Sequence, residues 1–353
     1  MTDITKYLQD ELKLHPSLAP QDVVKLCFQG AYGAEHMLSD MAGAREYFRQ
    51  EYETTPADNR PLTEYIAPTV CRVNIAAWKR LKLNADWFWN MFVSSAEAPS
   101  DDSQDKVFND YIAQADKLCQ IEEFAFSYSR WQEYINAYRL TGVTPVRHSA
   151  AYREKEKPAY RIISGQNARL IPIFEAMAGL DKGVIAIDGR SAAGKSTIAD
   201  NLCGIIGAGI VRMDDFFLPT KLRTDERLAQ PGGNVHYERF VEEVLPNLQT
   251  GQRFGYRKFD CSQMEYGDAL VEVRPHPWLI VEGVYSHHPA LGNYMDVRVF
   301  MDISPQQQRT RINSRNTPEF AAKYINVWIP MEEAYFNAYN TCEAADVVIK
   351  SDK

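Results

Sequence analysis

The feature that most restricts this chain is the run Gly189-Arg190-Ser191-Ala192-Ala193-Gly194-Lys195-Ser196, which fits the pattern GxxxxGK[S/T]. Directly before it stands the apolar run Gly183-Val-Ile-Ala-Ile-Asp188, and after it a helix-compatible stretch from Thr197 to Ile206. A strand, a tight glycine-bearing loop and a helix, in that order, make one unit of a parallel sheet with helices against it. The glycines let successive backbone N–H groups face one anion, and the helix adds the positive end of its dipole. In such a loop Gly189 to Ser196, with Thr197, cradle the phosphates of ATP or another nucleoside triphosphate. Lys195 then reaches the β- and γ-phosphates, and Ser196 ligates Mg²⁺.

A chain of 353 residues exceeds the usual size of one domain, so two are expected, each with its own core. From Gly183 onward short apolar runs alternate with helical stretches: Val184 to Ile187, Ile210 to Met213, Leu279 to Val281, Val297 to Met301 and Val347 to Ile349. That alternation predicts an α/β domain built on a doubly wound parallel sheet. Before about residue 165 the period is helical. Trp131, Tyr134, Ile135 and Tyr138 share one face, with Gly142 at the C-cap, and Asn84 is placed to cap a helix carrying Trp87, Phe88 and Met91. Loops are expected at Thr54 to Pro61 and Glu97 to Gln104, and a helix from Asn167 to Gly179 leads into the first strand. The expected organisation is therefore a mostly α-helical domain, residues 1–165, followed by an α/β domain, residues 166–353.

The charge balance bears on partners. With 39 Lys+Arg against 47 Asp+Glu the net charge is -8, which opposes sequence-independent binding to nucleic acid. The six cysteines, Cys27, Cys71, Cys119, Cys203, Cys261 and Cys342, show no metal-ligand spacing and read as reduced thiols. No apolar run has the length of a membrane span and the first 20 residues lack the apolar core of a signal peptide, so a soluble, cytoplasmic protein is expected.

Phosphoryl transfer also needs a group that orients and deprotonates the attacking hydroxyl. Asp214, in Val211-Arg-Met-Asp-Asp-Phe-Phe-Leu-Pro219, follows the second α/β strand, and Glu282, in Leu279-Ile-Val-Glu-Gly283, follows the third. In an open α/β sheet the carboxyl ends of strands converge on the ligand crevice, so both acids are candidates there. Asp215 is the alternative to Asp214, and the residues alone do not rank the two.

From Gly183 to Lys353 the chain resembles the uridine kinase and phosphoribulokinase family of P-loop NTPase fold. The resemblance lies in the phosphate loop, Met213-Asp-Asp-Phe-Phe217, Ile280-Val-Glu-Gly283 and the arginine-bearing stretch after Met301-Asp302. The Asp-Asp-Phe-Phe run is also similar to nicotinamide riboside kinases. The resemblance implies Mg²⁺-dependent transfer from ATP to a small acceptor, a nucleoside 5′-hydroxyl foremost. It gives Asp214 the role of base and has Glu282 support Mg²⁺ or its water. It matches Arg311 and Arg315, within Gln308-Arg-Thr-Arg-Ile-Asn-Ser-Arg-Asn316, to lid arginines that offset charge on the transferring phosphoryl group, with Arg309 a weaker match. Two departures concern the acceptor. Where the family commonly has an Asp that holds ribose hydroxyls, this chain has His236 with Glu238 close by. Where uridine kinases carry a pyrimidine-reading His, Tyr256-Arg-Lys-Phe-Asp-Cys-Ser-Gln-Met264 has none. Phe217, Tyr256 and Phe259 are the aromatic candidates for stacking on a flat base, and Asp215 is a further candidate contact. Another small alcohol as acceptor, such as nicotinamide riboside, a sugar phosphate or pantothenate, and a nucleotide-dependent switch remain the alternatives. Against the switch, the guanine-reading pattern NKxD is absent.

The N-terminal half resembles no family. Its polar stretches are Tyr32-Gly-Ala-Glu-His-Met37, where adjacent Glu35 and His36 would point apart on a helix, and Pro145 to Arg161. Arg147, His148, Tyr152, Arg153 and Arg161, with Arg72, are candidates for an anion site, and a charged surface linker is the plainer reading.

Overall fold

The computed structural model describes residues 3–34, 38, 40–96, 103–121, 124–248 and 251–351. The chain forms two compact units, Met1–Ile171 and Pro172–Lys353. No helix of the described residues is long and apolar enough to cross a membrane. The described cysteines are free thiols, with Cys27, Cys71 and Cys119 buried.

The first unit is mainly helical, with helices Thr5–Leu14, Pro20–Tyr32, Met41–Thr54, Ile75–Arg80, Ala85–Ala96, Gln104–Ile121, Tyr128–Leu140 and Ala150–Glu156. The side chain of Asn84 accepts the N–H of Asp86 at 2.8 Å, as a cap for Ala85–Ala96 should. In Tyr128–Leu140 the residues Trp131, Ile135 and Tyr138 are buried, and Gly142 beyond its end has φ +78. A three-stranded antiparallel sheet, β1 (Thr63–Ala67), β2 (Val70–Asn74) and β3 (Tyr160–Ser164), accompanies these helices in the order β1-β2-β3. The sequence reading had no strands here. All five residues of β2 are buried, so no polar-apolar alternation marks it, and Arg72 and Asn74 interrupt its apolar character. The expected helix from Asn167 to Gly179 is two short pieces, Gly165–Ala168 and Ile171–Ala176. Pro172 stands at the second position of the latter, where its missing N–H costs no helix hydrogen bond.

The second unit has the P-loop NTPase fold. Its sheet consists of β4 (Gly183–Gly189), β5 (Gly209–Arg212), β8 (Trp278–Glu282), β9 (Val297–Asp302) and β10 (Val347–Lys350), parallel throughout and ordered β10-β9-β4-β8-β5. From β4 the chain winds first toward β5 and β8, then back to β9 and β10, so the sheet is doubly wound with its switch beside β4. The β4 strand is buried from Val184 to Gly189, which explains its unbroken apolar run. Between β5 and β8 an antiparallel hairpin intervenes, β6 (Phe254–Asp260) with β7 (Glu265–Val273). The core around Val211, Phe216, Phe240, Tyr256, Val281, Phe300 and Phe336 joins hairpin, sheet and helices.

Candidate active site

The phosphate loop turns at the carboxyl end of β4, and helix Lys195–Ile206 starts within it. Gly189 has φ +133, and a Cβ there would stand 2.2 Å from the Met301 carbonyl oxygen, so only glycine fits. Every carbonyl from Gly189 to Ala193 is held by a side chain. Lys195 Nζ donates to the Gly189 and Arg190 oxygens at 2.8 and 3.1 Å, and Gln308 Nε2 to the Ser191 oxygen at 3.0 Å. Arg311 donates to the Ala192 oxygen at 3.0 Å and Ser351 Oγ to the Ala193 oxygen at 2.8 Å. By contrast, no acceptor among the described residues takes the N–H groups of Ala192, Gly194, Lys195, Ser196 or Thr197. The loop therefore presents free donors at a helix N-terminus, an arrangement suited to phosphate oxygens.

Two further residues fix this framework. Asp188, fully buried, accepts the N–H groups of Gly189, Tyr285 and His287 at 2.7, 3.2 and 3.0 Å and the Tyr335 hydroxyl at 2.8 Å. Arg190, partly buried, pairs with Glu333 at 2.7 Å and with Asp302. The Arg190 side chain is thus committed elsewhere, while its backbone still shapes the turn.

Glu282 closes β8 beside the loop. Its Oε1 accepts the Ser196 hydroxyl at 3.0 Å and its Oε2 accepts Arg212, which also reaches Asp200 at 2.6 Å. Burial pushes the Glu282 carboxyl up, Asp214 pushes it further, and Lys195, Arg212 and the Ser196 hydroxyl pull it down. Asp214 itself is exposed at the turn Met213–Phe216. Asp215 differs. It is buried, accepts the Phe259 N–H at 3.4 Å, and is pushed up by burial. Its carbonyl is held by Arg239 Nη1 at 2.7 Å, and Arg239 also holds the Arg257 carbonyl. These contacts tie the turn to the hairpin, so the acid facing outward is Asp214. Ser196 and Glu282, joined at 3.0 Å, offer hard oxygen donors of the kind that suits Mg²⁺, and Asp214, whose charge acts on Glu282, is the candidate third donor.

The remaining expectations divide. Tyr256 is 1% exposed, packed 5.1 Å from Phe216, and its hydroxyl accepts the Arg212 N–H. Phe259 is 4% exposed. Both are core residues, and the expectation that they stack on a base is corrected. Phe217 is half-buried against Phe259. His236 stands at the N-cap position of helix Tyr237–Glu243 without a side-chain capping bond, hydrogen-bonds and stacks on Tyr266, and has its pKa pushed down by burial. Arg311 is bound to Ala192 and to Ser351 at 2.7 and 3.0 Å, so it braces the loop and is not a free lid arginine. Arg309 and Arg315 are exposed. Arg315 has no hydrogen bond or ion pair among the described residues.

The candidate anion site in the first unit is not assembled among the described residues, and the reading of Pro145 to Arg161 as a charged surface linker holds only in part, since His148, Tyr152 and Arg161 are buried. Arg72, fully buried, donates to both oxygens of Glu11 at 2.8 Å, and Arg161 pairs with Glu51. His148 Nδ1 lies 3.0 Å from Asp22 and its Nε2 2.6 Å from the Tyr160 hydroxyl, while Tyr152 reaches Glu11 at 3.3 Å. Arg147 and Arg153 are exposed on the surface. The buried cations are already neutralised by carboxylates. Ligand atoms of Glu11, His15 and Glu64 lie within 4.8 Å of one another, but Arg72 already occupies Glu11. Glu35 and His36 lie outside the described residues.

Sequence reasoning missed Asp188, Arg212, Arg239, Gln308, Glu332, Glu333 and Ser351. Asp188 carried a signal, a lone acid ending a buried strand. Gln308, Glu332, Glu333 and Ser351 reach the loop from elements remote in sequence, Glu332 through Ser191, while Arg212 holds Glu282 and Arg239 the turn after β5, and no local pattern announces them.

No family model and no curated protein matches the chain. Among solved structures, the chain is similar to a possible uridine kinase from Bacillus stearothermophilus, at 18% identity over 52% of this chain and 97% of that one, with TM-score 0.40. It is similar to a D-glycerate 3-kinase from Cryptococcus neoformans at 16% identity over 53% and 94%, with TM-score 0.36.

Proposed function

We propose that the second unit transfers the γ-phosphate of a nucleoside triphosphate, ATP foremost, to a hydroxyl of a small acceptor. The observation that carries this reading is the phosphate loop itself, whose carbonyls from Gly189 to Ala193 are tied back while the amides of Ala192 and Gly194 to Thr197 stay unclaimed. Such a cradle costs no reorganisation when charge develops on the phosphates. On nucleotide binding Lys195 exchanges two neutral carbonyls for phosphate oxygens, a stronger, charge-assisted contact. Ser196, Glu282 and Asp214 would hold Mg²⁺, which would supply positive charge to offset that of the phosphates. Asp214 takes the proton of the acceptor hydroxyl. The oxygen then bonds to the γ-phosphorus while the bond to the β-bridging oxygen breaks and ADP leaves. Arg315, exposed and uncommitted, is the lid candidate.

A nucleoside 5′-hydroxyl is the acceptor to test first. With Tyr256 and Phe259 in the core, stacking on a base rests on Phe217 alone, which gives nicotinamide riboside, sugar phosphates and pantothenate a place in the same panel. The test is ADP release from ATP over that panel. Acceptor-dependent ADP formation by the unaltered chain supports the reading. Phosphate release that ignores every acceptor would instead make the unit a nucleotide-dependent switch.

A further inference from the structure

We infer that Glu332 is a positioning residue of the nucleotide site, which through Ser191 holds the first limb of the phosphate loop in the shape that leaves the later amides free. The inference rests on the reading of that loop as a triphosphate site. Glu332 lies on helix Ile329–Tyr339 and is 5% exposed. Both its oxygens go to one residue, Oε2 accepting the Ser191 N–H at 3.1 Å and Oε1 accepting the Ser191 hydroxyl.

A buried carboxylate is a costly way to pack a helix, since taking one from water costs several kcal/mol unless partners compensate. Burial does push the Glu332 carboxyl up, and Lys195 is the largest influence that pulls it down. An apolar residue would fill the same space without that cost. What an apolar residue cannot do is seize an amide and a hydroxyl of the same residue together. That grip fixes the orientation of the Arg190–Ser191 peptide, and the Ser191 carbonyl is then turned to Gln308. The other N–H groups of this limb that are satisfied, Arg190 and Ala193, go to backbone oxygens of Met301 and Arg190. Of the side-chain grips on residues 190–193 described above, that of Glu332 alone takes an amide. Without it, the Ser191 N–H is free to turn into the cradle and the limb loses its register against the amides of Gly194 to Thr197.

The test uses the full chain and MgATP. Glu332→Ala should raise both the calorimetric Kd and the KM for MgATP about tenfold while kcat stays within about twofold, because the groups that act on the reacting atoms are untouched. Glu332→Gln should restore most of the affinity, since its amide can accept the Ser191 N–H and donate to the Ser191 hydroxyl. Ser191→Ala, which keeps the N–H bond and loses the hydroxyl bond, should fall between, and serves if Glu332→Ala does not fold. Unchanged Kd and KM in Glu332→Ala or Ser191→Ala, with only the unfolding temperature lowered, would overturn the inference. So would a Gln variant as impaired as the Ala variant. Failure of the unaltered chain to bind MgATP at all would instead strike the triphosphate reading on which the inference stands, and both would fall.

Discussion

The two adjacent acids after β5 show how much a single side-chain direction decides. Asp214 and Asp215 are equivalent in sequence, but one faces solvent near Glu282 and the other is buried on the Phe259 N–H. Asp214→Asn should therefore leave MgATP affinity within a few-fold and lower kcat by about two to four orders of magnitude, the loss expected for a positioned general base. Asp215→Ala should act on stability, by about 1–3 kcal/mol for an amide left unsatisfied in the hairpin. Steady-state kinetics and denaturant unfolding of both variants check the assignment, and a large kcat defect confined to Asp215 would reverse the roles. Lys195→Ala should abolish transfer, because no other ammonium replaces its charge in the loop. The pH dependence follows from Glu282. Its carboxyl titrates above the ordinary value because of burial, so as pH falls through that raised value it gains a proton and ceases to be a cation ligand. The Mg²⁺ concentration needed for half-maximal rate should then rise at a higher pH than the usual Glu value of about 4.3 would give. A requirement that is flat down to that value would remove Glu282 from the metal site.

At the scale of elements, helix Pro305–Arg315 separates what periodicity joins. Arg311 and Arg315 lie one turn apart, and the sequence could only treat them alike. Arg311 is bound to the Ala192 carbonyl and to Ser351, while Arg315 stays exposed. Arg315→Ala should lower kcat by at least tenfold with stability changed by less than about 0.5 kcal/mol, the usual range for an exposed site. Arg311→Ala should instead destabilise the second unit by roughly 1–3 kcal/mol, since it strands buried carbonyls. Thermal unfolding and kinetics of the pair distinguish the two roles. The same contrast runs through the fold. The five parallel strands were legible because each is a short apolar run between helical stretches, fully buried in β8 and nearly so in β4. The β6–β7 hairpin was not, since β7 is largely exposed and carries Glu265, Asp268 and Glu272. Partners that arrive from distant elements, such as Gln308 and Ser351, leave no trace in the local pattern, so the loop was legible and its bracing was not.

Across the whole molecule, buried titratable groups tie stability to pH in both units. In the first, His148 is held neutral by burial, its pKa lowered to about 4 against Asp22 hydrogen bonding that raises it. An unfolded His binds its proton near 6.5, so between those values the unfolded state holds more protons. The stability tied to neutral His148 is thus present above pH 6.5 and is lost as pH falls toward 4. In the second unit Asp215, Glu282 and Glu332 are all pushed up by burial. For them the folded state holds more protons just above the ordinary carboxylate range, so acidification in that range favours folding. Calorimetry of the full chain should accordingly show two transitions. MgATP should raise the one belonging to the second unit, by the mass-action term of about 2.7 kcal/mol at a hundredfold excess over Kd, and leave the other in place. Lowering pH from 7 to about 5 should move the transition that MgATP ignores to lower temperature, while in the second unit His236 and His288, both pushed down by burial, pull the same way as His148 and work against the three acids. The ring of His148 should titrate near 4 when followed by NMR. A single transition that follows both MgATP and pH would mean that the units fold together and that the helical half is part of the nucleotide-binding body. A normal titration near 6.5 would mean that His148 is not locked between Asp22 and Tyr160, and the acid sensitivity of the first unit would need another source.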